Sequence, residues 1–294
     1  MSNLASGRNV ILRAGDYEAR AVAVGAGLAE LTYKGSGLVT TYGNDEFAPE
    51  FMGKILVPWP NRIEAGQFTR DDVDYQLPIN DLEHNAALHG FMAWVDWQVA
   101  EISDTEVTFK ALLPPRPGYP WTLRSTVHYG LDSRRGLTVT VQTTNIGHDA
   151  APYGVAAHPY FALDGELVDN YELEIPARTA TVMNENLIPI GAQEAEGNVH
   201  ISGLIGEAQL DDAYTDLPEG TWQVTVRNPS TGHGAILSSD ARWLQVYSGD
   251  ELGRTGVAVE PMSCGPNAFN SGDGLTVLAP GASHRFSYAI KGIA

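Results

Sequence analysis

The sequence predicts an all-β protein, one large antiparallel β-sandwich, on three observations. Apolar and polar residues alternate with a period of two along many short stretches, as half-buried strands require. Gly and Pro, 31 and 17 residues respectively, are spread between those stretches as punctuation. Helical spacing with caps is almost absent. At 294 residues with 43% apolar content the chain can bury a sizeable core. No linker, composition shift or short repeat divides it, so residues 1–294 read as a single domain.

The elements follow in order. "GAGLAE" at 25–30 reads as a tight turn, since it lacks the third glycine and the following helix of a dinucleotide-binding loop. Asp71, Asp72 and Asp74 in "FTRDDVDYQL" read as a solvated hairpin turn and not as a metal site. "WTLRSTVHYGL" sets Trp121, Leu123, Val127 and Tyr129 on one face. "GLTVTVQTTN" does the same with Leu137, Val139 and Val141, and "YELEIPA" with Tyr171, Leu173 and Ile175. Trp222, Val224 and Val226 align in "TWQVTVRNP", and Phe286, Tyr288 and Ile290 in "HRFSYAIKG". In "GVAVEP", Val257 and Val259 read as a buried strand ending at Glu260, ahead of Pro261.

Charge bounds the partners. The net charge of −18, from 36 acids against 18 bases, argues against nucleic acid and anionic membrane, both of which need clustered Lys and Arg. A small neutral or cationic ligand fits better. The single cysteine, Cys264, excludes an intrachain disulfide framework and a cysteine zinc site. "MSNLASGRNVIL" lacks the basic and apolar regions of a signal peptide, and no apolar run reaches about 18 residues. A cytoplasmic setting is therefore expected. Nothing in the sequence sets an oligomeric state.

Four stretches carry polar residues that a strand pattern does not explain. "GKILVPWPNRIEAGQF" at 53–68 places Asn61 and Arg62 after two prolines that stop strand pairing. "NAALHGF" at 85–91 places His89 before Gly90, where the backbone could approach closely. His84 lies five residues upstream, but on an extended chain an odd offset sends the two imidazoles to opposite faces, and nothing nearby completes a metal site. "GVAAHPYFAL" at 154–163 sets His158 among small apolar residues, where a satisfied core histidine is the ordinary reading. "GVAVEPMSCGPNAFN" at 256–270 ends a buried strand on Glu260, costly unless that acid is paired or functional. Cys264 beside it reads as a small buried thiol, because no base accompanies it. Asp211 and Asp212 in "QLDDAYTDL" complete the set.

Taken together, "PWPNRIEAGQF", "ALHGF" followed by "WVDWQV", "HPYFAL", "LDDAYTDL" and "EPMSCGPNAFN" resemble the aldose 1-epimerase (galactose mutarotase) family, in that family's order and over almost the whole chain. The resemblance implies a galactose mutarotase-like supersandwich, a small-molecule aldose substrate and no cofactor or metal. It implies His158 as the acid that protonates the sugar ring oxygen and Glu260 as the base that takes the C1 hydroxyl proton. His89 and Arg62, with Asn61 beside it, match sugar-contacting positions. For the acid that grips sugar hydroxyls, Asp211 is preferred to Asp212. Trp59 and Phe269 are candidate stacking aromatics.

Such an enzyme needs one positioned acid and one positioned base, each typically contributing about 10²–10⁴-fold. A carboxylate next to His158 is expected to raise the imidazole pKa above its ordinary ~6.5. A non-catalytic β-sandwich lectin is the alternative from another class, and it would need neither His158 nor Glu260. A sugar-phosphate mutarotase would want clustered Arg and Lys, which the stretch around Arg62 lacks.

Overall fold

The structure is a computed structural model that describes residues 5–195 and 202–294. The first four residues of the N-terminal stretch read above lie outside it. Two large antiparallel sheets dominate. One has nine strands, in the order Gln98–Ile102, Glu106–Leu113, Leu123–Asp132, Gly136–Asn145, Ser283–Ile293, Gly234–Ser239, Trp222–Arg227, Glu172–Glu174 and Ser202–Leu204. The other has eight, running Pro189–Glu194, Thr179–Met183, Asp211–Thr215, Trp243–Tyr247, Val257–Met262, Ala156–Ala157 and Ile55–Leu56, with Tyr160–Phe161 also paired to Val257–Met262. The segment from Asn9 to Gly37 forms a four-stranded sheet. The α-helix among the described residues is a single turn, Ala268–Ser271.

The alternation in the sequence explains the sandwich. Val127, Tyr129, Val139 and Val224 of the nine-stranded sheet share one buried cluster with Tyr214, Leu244, Val246, Val257 and Val259 of the eight-stranded sheet. Fully burying each such aliphatic side chain contributes about 1.5–3 kcal/mol. Asp71 and Asp72 take positive φ in the hairpin joining Gln67–Arg70 to Val73–Gln76. Gly25 and Ala26 turn the chain into the strand Gly27–Tyr33. Among the described residues, no helix is long and apolar enough to cross a membrane.

One expectation needs correcting. The strand bearing Glu260 does not stop there: it runs Val257–Met262, with all six residues buried. Pro261 is tolerated because of the direction its missing N–H would take. The Val259 and Ser263 N–H groups point to one side and donate to the carbonyls of Pro159 and Val155. Pro261, midway between them, faces the same side, where the opposing chain breaks its pairing between Ala157 and Tyr160. His158 sits in that break.

Candidate functional site

The register of the eight-stranded sheet assembles the site. Ala156 pairs with Met262 and Tyr160 with Ala258, so His158 stands across from Glu260. On the other side of that strand Glu260 is paired with Gln245, and Gln245 in turn with Ala213. The next row on the same face pairs Ala258 with Tyr247 and Tyr247 with Asp211. His158, Glu260, Gln245 and Asp211 therefore share one face by strand alternation. Asp212, one residue on, belongs to the opposite face.

His158 and Glu260 are 4% and 2% exposed, with Nε2 and Oε1 3.4 Å apart. That is contact, but longer than the roughly 2.7–3.2 Å of a well-made hydrogen bond. His158 Nδ1 and Glu260 Oε2 are buried and make no hydrogen bond. Tyr160 stacks on the imidazole with ring centroids 5.1 Å apart.

Burial governs the charges of this pair. Desolvation pushes the His158 imidazole down to about 3. Desolvation first, and then repulsion from Asp211, hold the Glu260 carboxyl well above its ordinary range, with Arg62 opposing. The expectation that Glu260 raises the histidine is thus overturned. An isolated ion in this interior costs several kcal/mol, so the neutral imidazole and neutral carboxylic acid are favoured together.

The second part of the site is a paired network. The Asn61 N–H donates to His89 Nδ1 at 3.0 Å, and the His89 N–H donates to the Asn61 carbonyl at 3.0 Å. Both residues hold positive φ, 54° and 60°. Since Nδ1 accepts, Nε2 of the neutral imidazole carries the proton and is a donor. Burial keeps His89 well below its ordinary value, helped by His158 and Arg62. Its ring lies 5.2 Å from that of His158, edge to face. Gly90 answers the close-approach expectation: a Cβ there would lie 2.3 Å from the Val57 carbonyl oxygen.

Asn61 Nδ2 donates to Gln245 Oε1 at 3.3 Å, and Gln245 Nε2 donates to Asp211 Oδ1 at 2.6 Å. Burial raises the Asp211 carboxyl despite Arg62 and this bond. Arg62 Nε donates to Asp81 Oδ2 at 2.7 Å, and His84 Nδ1 lies 3.0 Å from both Asp81 oxygens. His84 and His89 accordingly point to different partners, one to Asp81 and one to the Asn61 backbone. No three His, Cys, Asp or Glu side chains among the described residues group as metal ligands.

Asp81 and Gln245 lie outside every stretch that the sequence singles out, and the bonds to Arg62, Asn61 and Asp211 are what reveal them. The stacking candidates were misplaced. Trp59 and Phe269 are buried against one another, 5.8 Å apart at 66°, and Trp59 Nε1 donates to the Ala87 carbonyl. The aromatics beside the histidines are Tyr160 and Phe51, the latter 4.6 Å from His89. Cys264 is buried, and burial pushes its thiol up to about 12, which leaves it unreactive.

Known proteins share the sequence pattern and the fold. A 43% identical relative, covering 98% of this chain and 94% of its own length, is the uncharacterized protein YihR of Escherichia coli. Galactose mutarotase of Rattus norvegicus is 31% identical over 147 residues, covering 48% of this chain and 42% of its own. Among solved structures, a galactose mutarotase-like protein from Clostridium acetobutylicum superposes with a TM-score of 0.87 at 20% identity, covering 97% of this chain and 94% of that one. The aldose epimerase homologue from C. elegans gives 0.85 at 20% identity, covering 98% and 100%. At such identities these two likenesses speak for the fold. The family model for aldose 1-epimerase matches residues 8–291, and the chain belongs to that family of isomerases.

Proposed function

We propose that this protein interconverts the α- and β-anomers of a free aldohexose by ring opening, with His158 as acid and Glu260 as base. The observation that carries the reading is the buried His158–Glu260 pair with one unbonded polar atom on each partner. Unpaired buried polar atoms are costly, on the order of 1–3 kcal/mol each, and are kept where a ligand completes them.

The pair holds one proton. Its neutral form, carboxylic acid with imidazole, and its ionic form, carboxylate with imidazolium, differ only in where that proton sits. In ring opening the pair's proton first passes from Glu260 to His158; the carboxylate so formed takes the C1 hydroxyl proton, the C1–O5 bond breaks as the carbonyl forms, and the His158 imidazolium protonates O5. The product is the open aldehyde with the pair in its neutral form. After rotation about C1–C2 the same steps run backwards on the other face, and the ionic form is restored. The proton count never changes, so no turnover needs exchange with solvent.

On this reading the His89 Nε2–H, whose ring lies 5.2 Å from that of His158, donates to O5 or O1. Arg62 and Asp211 supply donors and an acceptor for ring hydroxyls, with Asn61 and Gln245 as the struts between them. Asp81 offsets the Arg62 charge at 2.7 Å, which suits neutral hydroxyls better than a phosphate dianion.

Polarimetry on freshly dissolved α-galactose and α-glucose tests the reading. Enzyme-dependent equilibration of either sugar, faster than that of its 6-phosphate, is the expected result. Sugar binding by calorimetry with no rate above buffer would replace the enzyme with a lectin.

A further inference from the structure

An aromatic ramp leads from the paired histidines to solvent. Phe51 lies 4.6 Å from the His89 ring and 6.3 Å from the His158 ring. Trp94 is the next step, 5.1 Å from Phe51, and Phe47 stacks on Trp94 at 4.3 Å and 15°. Exposure climbs along this line. The histidines are buried, Phe51 is half-buried, Trp94 is 38% exposed and Phe47 is 68% exposed.

The ramp is supported from within. Lys54 is buried, its Nζ donates to the Val24 carbonyl at 2.7 Å, and the same Nζ lies 5.5 Å over the Trp94 ring. Phe47 stacks on the same indole, so Trp94 is held between the core through Lys54 and the surface through Phe47. Trp94 is therefore clamped, and the outer face of Phe47 is presented to solvent. A large aromatic held open next to a polar site costs hydration and offers a flat apolar surface. The CH-rich face of a pyranose fits such a surface.

Resting on the mutarotase reading, we propose that Phe47, held by Trp94, is a subsite for a second sugar, joined through O6 of the reducing aldose. The direction follows from the pair. With O1 at Glu260 and O5 at His158, the ring atom beyond O5 is C5, which carries C6. The side of the ring with the hydroxyls meets Arg62 and Asp211, which are held by Asp81 and by Gln245. The C6 arm leaves on the remaining side, along His89 and Phe51. Two aromatic rings, Phe51 and Trp94, stand between His89 and Phe47, so the outer end of the ramp is offered to a second ring and not to the reducing one.

The test compares isomaltose, linked through O6, with glucose and with maltose, linked through O4. Dissociation constants come from calorimetry and anomer exchange rates from NMR. Wild type should bind isomaltose tighter than glucose or maltose. Phe47→Ala, at a position exposed enough not to disturb folding, should weaken isomaltose at least about fivefold and leave glucose within about twofold. Phe47→Trp should restore isomaltose binding.

Equal affinity for isomaltose and glucose, a preference for maltose, or equal losses for both sugars in Phe47→Ala would each overturn the subsite. Failure of the functional reading shows elsewhere, as a wild-type glucose exchange rate no faster than buffer. The isomaltose-to-glucose ratio of dissociation constants still reads the ramp in that event.

Discussion

The His158–Glu260 pair and the network around Arg62 lie side by side and are built on opposite rules. In the pair, two buried ionisable groups sit 3.4 Å apart with an unbonded atom on each. In the network, Asn61 is bonded to His89 and Gln245, Gln245 to Asp211, Arg62 to Asp81, and Asp81 to His84. The network holds itself in shape without a ligand. The pair is incomplete without one. The proposed mechanism uses this difference, with chemistry in the first and positioning in the second, because a group that must move a proton cannot have its lone pairs already committed.

The largest effect should come from breaking the pair. Glu260→Gln keeps the shape and loses the proton acceptor, and His158→Gln loses the acid. Each should lower kcat by at least ~10²-fold in polarimetric assays, about 2.7 kcal/mol of barrier, while calorimetric sugar affinity changes far less. Near-wild-type turnover in Glu260→Gln would remove it as the base.

The network should give the reverse split. Arg62→Ala strips contacts made in the ground state as well, so KM should rise about tenfold or more with a smaller change in kcat. Asp81→Asn leaves Arg62 in place but weakens its anchor, and a several-fold rise in KM is expected. Steady-state kinetics on one sugar separates the two. A kcat loss in Arg62→Ala as large as that in Glu260→Gln would erase the distinction between the regions.

A smaller effect concerns stability, and its sign is set by burial. The folded pKa of Glu260 lies above the ordinary 4.5. Below 4.5 the folded and unfolded chains both hold the proton, and nothing is lost. As pH rises, the unfolded carboxyl ionises freely while the folded one is held neutral, so stability falls until the folded pKa is passed. Glu260→Gln should therefore be more stable than wild type at neutral pH, on the order of 1 kcal/mol, with little difference near pH 4. His158 runs the other way, its folded pKa of about 3 removing stability as pH falls below 6.5. Thermal melts across pH for both variants read these slopes.

The smallest effect distinguishes neighbours. Asp211→Asn should raise KM several-fold, since Asp211 shares the face of Gln245 and Glu260. Asp212→Asn, on the opposite face, should change kcat/KM by less than about twofold.

Much of this was legible in the chain. Period-2 alternation located the strands at 123–132, 136–145, 222–227 and 283–293. The motifs brought out His158, Glu260, Arg62 and His89 because each sits where a strand pattern breaks. What stayed hidden depends on register between distant segments. Gln245 looks like any outward polar residue until its strand is laid beside Glu260 on one side and Asp211 on the other. Trp59 and Phe269 could not be assigned to core or site from their neighbours alone. The strand through Pro261 was cut short, because only the gap at His158 shows why its missing N–H does no harm. The sign of the His158 shift was wrong for a related reason: a carboxylate beside the ring is readable from a motif, and the depth of burial is not.

The account rests on one proton shared by His158 and Glu260, and the pH dependence of kcat/KM reads it directly. The two titrations are coupled, so the limbs belong to the pair. The pair gains a second proton only near the depressed imidazole value of about 3, and loses its only proton above the raised carboxyl value. The predicted profile for enzyme-dependent galactose mutarotation shows no limb at the ordinary carboxyl value of 4.5, its acid limb lying near the depressed imidazole value of about 3 and its alkaline limb at a carboxyl value raised well above 4.5. A profile with its acid limb at 4.5 would show an independent, solvated carboxyl and contradict the shared proton.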